Sequence, residues 1–181
     1  MAEVHLSIPV EPEQINQLHT GDVVYLTGRL FTARDKAHQL LRSLPEGKLP
    51  KELQGLPLYH CGPLVRKDDA EWSVISAGPT TSQRFESSEA DVMARLHVSV
   101  IIGKGGMGPR TAEALQATPG VFLAYTGGAG VLAADQICRV VDVLWLKELG
   151  MADAVWVFEV KEFGPLVVGM DAYGSSLYAR L

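Results

Sequence analysis

Residues 72–127 read WSVISAGPTTSQRFESSEADVMARLHVSVIIGKGGMGPRTAEALQATPGVFLAYTG. Three short apolar runs stand out: WSVIS at 72–76, VSVII at 98–102 and VFLAY at 121–125. Between them lie two segments with helical spacing of apolar residues, 80–97 and 109–118, the second with Pro109 where a first helical residue belongs. Short strands alternating with helices and punctuated by glycine predict strand–helix–strand units. The second half of the chain is therefore expected to build a parallel sheet.

Outward from this stretch the pattern changes. Upstream, HLSIPV (5–10), VVYLTG (23–28) and LYHCGPLV (58–65) read as strands, the second ended by Gly28, and KDDAEW (67–72) reads as an acidic hairpin tip. EPEQINQLHTGD (11–22) reads as a helical turn or short loop, and EGKLPKELQGLP (46–57) as a punctuated loop. FTARDKAHQLLRSL (31–44) reads as a helix, with Thr32 as N-cap and Asp35 three residues on, a variant capping box. Downstream, residues 128–150 are expected to contain a helix and residues 153–174 a late pair of strands. The expected class is α/β: one domain over residues 1–181, with a parallel central sheet and a smaller antiparallel layer.

Apolar residues make up 47% of the chain and charged residues 20%, which supports a full core rather than disorder. The net charge of −5 argues against a generic nucleic-acid or anionic-membrane binder. Two cysteines, Cys61 and Cys138, give neither a disulfide framework nor metal-ligand spacing and suit a reducing cytoplasm. MAEVHLSIPVEPEQ has no apolar core of a signal peptide, and no apolar run approaches the ~18 residues of a membrane span.

Candidate chemistry gathers at expected strand ends. Arg34 and Arg84 fall in the first turns of expected helices, where the macrodipole disfavours a cation by ~0.3–1 kcal/mol each. Lys104 stands between two glycines. Residues that break a local rule are functional suspects. With the hydroxyls of Thr80, Thr81 and Ser82 and with nearby backbone N–H groups, three cations make a receptacle for a small carboxylate. Plainer readings stand beside this one. Arg34 pairs with Asp35 or reaches solvent, Arg84 meets Glu86 or Glu89, the threonines are N-caps, His38 lies on a helix surface, and Lys104 is a solvated loop lysine. Spacing alone leaves the choice open.

GKGGMG (103–108) also matches the dinucleotide fingerprint G-x-G-x-x-G and suggests a stand-alone NAD(P)-binding domain. The context opposes it: the next strand, VFLAYTGG, ends without the acid that would hold a ribose. TGGAG (126–130) offers a second loop that lets backbone approach closely. The five histidines, 5, 19, 38, 60 and 97, show no ligand spacing, and His60 and Cys61 are adjacent and do not face each other on a strand. The three tryptophans sit in apolar runs, where core packing is the default.

Taken in order, GDVVYLTGRLFTARDKAH, YHCGPLV, AGPTTSQRF, VIIGKGGMG, YTGGAG and WVFEVKEFGPLVVGMDAYGSSLY resemble the β region of class I fumarases and L-tartrate dehydratases over nearly the whole chain. The resemblance implies a swivelling β/β/α three-layer domain. It implies a hydro-lyase that hydrates fumarate to malate or dehydrates tartrate to oxaloacetate, using a [4Fe–4S] cluster held by three cysteines of a partner α subunit. It further implies that Arg34, Arg84 and Lys104 contact substrate carboxylates and that Thr80 is the candidate catalytic base. With two cysteines, the chain is expected to be one half of an α–β hetero-oligomer, cytoplasmic, holding no metal of its own.

Overall fold

A computed structural model describes residues 1–69 and 71–179. The elements in chain order are β1 (Glu3–Ser7), α1 (Pro12–Ile15), β2 (Val23–Thr32), α2 (Asp35–Ser43), β3 (Leu58–Tyr59), β4 (Leu64–Asp68), β5 (Glu71–Ser76), α3 (Glu89–Leu96), β6 (Val100–Gly103), α4 (Pro109–Ala117), β7 (Val121–Ala124), α5 (Gly130–Asp135), β8 (Ile137–Leu144), α6 (Leu146–Leu149) and β9 (Val155–Met170). Seven strands form one mixed sheet in the order β1-β2-β3-β6-β7-β9-β8, and β4 and β5 form a separate antiparallel pair. The chain is thus mixed α/β, with a large mixed sheet and a small antiparallel one.

Parallel pairing joins β1 to β2, β2 to β3, β3 to β6, and β6 to β7. It therefore begins in the first half of the chain, earlier than expected. WSVIS does not open the parallel series. It pairs antiparallel with β4 as the second arm of the acidic hairpin, whose tip residue Ala70 lies outside the described residues. The long strand β9 replaces the expected late pair. It pairs antiparallel with β2, β7 and β8, so β2, β3, β6, β7 and β9 close a ring of pairings.

Two further expectations are corrected. Gly28 does not end a strand. At φ +134° it sits at a register shift inside β2, where a Cβ would strike Ile8, so it marks a bulge. Thr32 is no N-cap: it is the last residue of β2, and its hydroxyl accepts the Trp156 N–H at 3.1 Å. Arg34 takes the cap position of α2 in extended conformation, without a side-chain capping bond.

Side chains alternate across the parallel strands, so each face packs its own core. Ile101 and Phe122 point to the core under α2, α3 and α4, with Phe31, Leu41, Phe85, Val92 and Leu115. Val100, Ile102, Val121 and Leu123 point the other way, to a core with Leu26, Tyr59, Trp156, Phe158 and Phe163. Trp72 of the hairpin packs edge-on against Trp156 at 5.1 Å, which fastens the small sheet to the large one. No helix among the described residues is long and apolar enough to cross a membrane.

Candidate active site

The carboxyl ends of β2, β3 and β6 lie side by side, the position where open α/β sheets bind ligands. Two of these ends lead directly into a candidate residue. Arg34 follows β2 directly after Ala33, whose N–H still bonds to Tyr59 O at 3.1 Å. Lys104 follows Gly103, the last residue of β6. Thr80 comes from a segment laid across the ends of β3 and β6. Pro79 bridges Cys61, the Thr80 N–H donates to His60 O at 2.8 Å, Thr81 bridges Lys104, and the Ser82 N–H donates to Lys104 O at 2.9 Å. Behind this segment, Gly130 packs against Gly78, a Cβ on Gly130 would overlap the Ser76 hydroxyl, and the Gly130 carbonyl accepts the Ala77 N–H at 2.9 Å.

Arg84 sits in the single 3-10 turn Ser82–Phe85 that continues this segment. It meets neither Glu86 nor Glu89: its Nη2 donates to Asp35 Oδ2. Arg34 Nη2 lies 3.9 Å from the same oxygen, so one carboxylate gathers two guanidiniums at the end of β2. Arg34 Nε is buried and has no hydrogen-bond partner. Lys104 is half-buried and enters no ion pair among the described residues. The fold thus places four residues, 34, 80, 84 and 104, on one rim and leaves donors there unsatisfied. A groove of about 550 Å³ beside α2 and α3, lined by Gln39, Arg42, Asp91 and Arg95, contains none of the four.

Beneath the rim is a polar cluster that sequence spacing did not reveal. His38, expected on a helix surface, is 1% exposed, and His60 and Glu89 are fully buried. His60 Nε2 lies 2.9 Å from Glu89 Oε2, and His60 Nδ1 lies 2.9 Å from Ser82 Oγ. Ser82 Oγ in turn accepts the Lys104 N–H at 3.0 Å. Burial alone raises the Glu89 carboxyl, but His60, by charge and hydrogen bond, and then His38 more than offset it and hold it below the usual carboxylate range. Burial drives the His38 imidazole down to about 4, against a smaller opposing pull from Glu89. His38 is therefore neutral near pH 7, and its Nε2, 3.9 Å from Glu89 Oε2, makes no ion pair there. The candidate ligand atoms of His38, His60 and Glu89 all lie within 4.8 Å of one another. The direct His60–Glu89 hydrogen bond, however, fills the place a shared ion needs. The only sequence signal for this cluster was a histidine inside the apolar run LYHCGPL.

The dinucleotide fingerprint has another explanation. Pyrophosphate in such folds sits on the helix N-terminus behind the glycines. Here Glu86 occupies that place: its carboxylate accepts N–H bonds from Gly108 at 2.7 Å, Arg110 at 2.9 Å and Thr111 at 3.3 Å, and the Thr111 hydroxyl at 2.7 Å. Gly108 is needed because a Cβ would overlap Glu86, and Gly103 because a Cβ would overlap the Ser82 hydroxyl. The glycines admit the protein's own side chains.

The family model described as Fumarase C-terminus matches residues 1–181. The chain belongs to the fumarase C-terminus family. Among its relatives is the L(+)-tartrate dehydratase subunit beta of Escherichia coli K12, 42% identical over 175 residues that cover 97% of this chain and 86% of the relative. The putative L(+)-tartrate dehydratase subunit beta of Methanocaldococcus jannaschii is 41% identical over 173 residues, 93% of this chain and 88% of that one. The putative fumarate hydratase class I of Geobacillus stearothermophilus is 41% identical over 176 residues, 97% of this chain but 33% of that longer protein. This fumarase C-terminus chain thus matches nearly whole β subunits and about a third of a single-chain relative.

Proposed function

We propose that this chain is the β subunit of an iron–sulfur-dependent hydro-lyase. It takes a four-carbon dicarboxylate, hydrating fumarate to L-malate or dehydrating tartrate to oxaloacetate. The observation that carries the reading is the rim itself: Arg34, Thr80, Arg84 and Lys104 reach the ends of neighbouring strands from three separate sequence motifs. The names of the relatives point to the same chemistry.

In this reading the two guanidiniums and the Lys104 ammonium bind the substrate carboxylates, with the unpartnered Arg34 Nε among the donors. In the dehydration direction, Thr80 Oγ1 as alkoxide takes the proton from the carbon next to a carboxylate and becomes a hydroxyl. The cations lower the cost of that alkoxide and of the dianionic carboxylate that develops as the proton leaves. The hydroxyl group departs from the neighbouring carbon as hydroxide, which the Lewis-acidic iron of a bound cluster would assist; it takes up one proton and leaves as water, while Thr80 gives up the proton it gained and returns to the alkoxide.

This chain's own residues do not fit an iron–sulfur cluster. Cys61 is buried, and burial pushes its thiol far above the usual range despite Arg34 nearby. Cys138 is exposed on β8, at the edge of the large sheet. Neither lies with other thiols, so the cluster is assigned to three cysteines of a partner α subunit in a cytoplasmic hetero-oligomer. The chain acts as a single swivelling β/β/α domain over 1–181 that closes over the substrate against that partner.

The test is to purify the tagged chain anaerobically from its source organism, reconstitute iron and sulfide, and follow fumarate absorbance and oxaloacetate formation from tartrate. A cysteine-bearing subunit should co-purify and one of the two diacids should be consumed. A chain that emerges alone and leaves both diacids untouched refutes the reading.

A further inference from the structure

The buried cluster connects to the rim at two points, and both run through His60. Its backbone carbonyl accepts the Thr80 N–H at 2.8 Å, and its backbone N–H donates to Ile102 O at 2.8 Å. Its ring meets Ser82 Oγ at 2.9 Å, and that oxygen accepts the Lys104 N–H at 3.0 Å. On the far side the ring meets Glu89 Oε2 at 2.9 Å. Phe85 packs beside it at 4.6 Å between ring centres.

The hydrogen-bond partners fix the two ends of this chain, at Glu89 and at the Lys104 amide. Glu89 Oε2, as a carboxylate oxygen, only accepts, so His60 Nε2 carries a proton and donates it. In the arrangement proposed below, Nδ1 carries no proton and is an acceptor. Ser82 donates its hydroxyl proton to Nδ1 and accepts the Lys104 N–H with its lone pair. His60, Ser82 and the Lys104 amide are then each paired, while Glu89 Oε1 has no hydrogen-bond partner. A Ser–His–Glu row resembles a nucleophilic triad in outline, but Ser82 is fully buried, so the serine has no access to a substrate.

We propose that His60, oriented by Glu89 and acting through Ser82, is a positioning residue that holds Thr80 and Lys104 in register with each other. The inference rests on the reading of those two residues as base and carboxylate ligand. It adds a reason for the buried acid: a charge is retained in the core because it selects one imidazole tautomer, and the tautomer selects which way the Ser82 hydroxyl points. It also gives Gly103 its purpose, since only a residue without Cβ lets the Ser82 hydroxyl reach both His60 and Lys104.

The experiment compares the wild-type chain with Ser82→Ala, and with Ser87→Ala as an exposed control in the same segment. Two readouts are taken. In the assembled enzyme, Ser82→Ala is expected to lower kcat/KM at least tenfold while the melting temperature stays within a few degrees, and Ser87→Ala to change neither. In the full chain, hydrogen exchange at the Lys104 amide is expected to speed about tenfold in Ser82→Ala, as the loss of one hydrogen bond of ordinary strength allows. Histidine ¹⁵N spectra of the wild-type chain should show His60 protonated at Nε2 and bare at Nδ1.

Unchanged kcat/KM in Ser82→Ala overturns the positioning role, whatever the exchange data show. The opposite tautomer, or a metal ion bound stoichiometrically by His60 and Glu89, overturns the relay. If wild-type enzyme consumes neither diacid, the hydro-lyase reading fails on that result alone. The exchange rate and tautomer then still decide whether His60 ties the two loops together.

Discussion

Arg84 donates to Asp35 across 49 residues of sequence, and the carboxylate oxygen it uses is the one nearest Arg34. Asp35 is thus the counter-ion that collects two guanidiniums at the rim. The pair is partly exposed, with Arg84 at 47% and Asp35 at 36%, so it adds no more than about 1 kcal/mol to stability. Its effect belongs to the site. Asp35→Asn is expected to raise KM for the diacid severalfold, lower kcat less, and leave the melting temperature almost unchanged. Steady-state kinetics and a thermal melt check this, and an unaltered KM speaks against a shared carboxylate role for the two arginines.

Thr80 is anchored by its backbone to His60, so changing its side chain leaves the loop in place. Thr80→Ser keeps the hydroxyl and should retain most of the turnover. Thr80→Val keeps the shape and removes it, and should lose about 10²-fold or more in kcat, the range of a general base. Equal activities in the two variants would remove Thr80 from the chemistry.

His38 gives stability a pH dependence of known sign. In the folded chain its imidazole titrates at about 4, below the ordinary value of 6.5 that applies to the unfolded chain. Between those values the unfolded state binds a proton that the folded state does not. Stability therefore falls as pH drops through that window, by up to about 3 kcal/mol. Glu89, depressed in the fold, adds a loss of the same sign as pH falls through and below the ordinary carboxylate range. Urea unfolding between pH 7.5 and 5 should show this decline, and His38→Phe should flatten it. The substituted ring would stack on Phe85, which lies 4.5 Å from His38.

Glu86 does the work that a pyrophosphate would do at the start of α4. Glu86→Ala should destabilise the fold by about 1–2 kcal/mol, the cost of losing a capping acceptor, without creating affinity for a dinucleotide. Melting temperatures of wild type with millimolar NAD or NADP should not move. A clear upward shift would reopen the dinucleotide reading of GKGGMG.

How legible the fold was depended on how local its causes were. VSVII and VFLAY read correctly because both faces of β6 and β7 are buried, which makes Val100–Ile102 and Val121–Ala124 unbroken apolar runs. The segment 128–150 was read as containing a helix. It does contain α5 at Gly130–Asp135 and α6 at Leu146–Leu149, but its longest element is the strand β8, for which the β-branched run at Val140, Val141 and Val143 was the available signal. Gly28 misled because a glycine that ends a strand and one that permits a bulge look alike until the crossing strand is known.

Arg34 and Arg84 were legible as anomalies, cations placed where a helix start disfavours them, and Lys104 as a lysine between two glycines. Their grouping required tertiary structure, because Arg84 finds Asp35 and Thr80 finds His60 only after the sheet has formed. The buried cluster was least legible. Glu89 stands 29 residues from His60 and read only as a surface partner for Arg84, whereas its partner in the fold is the buried His60.

That this chain supplies the carboxylate-binding cations of a hydro-lyase is tested most directly by the turnover of Arg34→Ala and Lys104→Ala enzymes assembled with the cysteine-bearing partner and matched to wild type for iron and sulfide. Both variants are predicted to assemble with unchanged iron content and to lose at least about 10²-fold in kcat/KM, the cost of removing one preorganised charge from a developing anion. Wild-type turnover in either variant, at equal iron content, would contradict the claim.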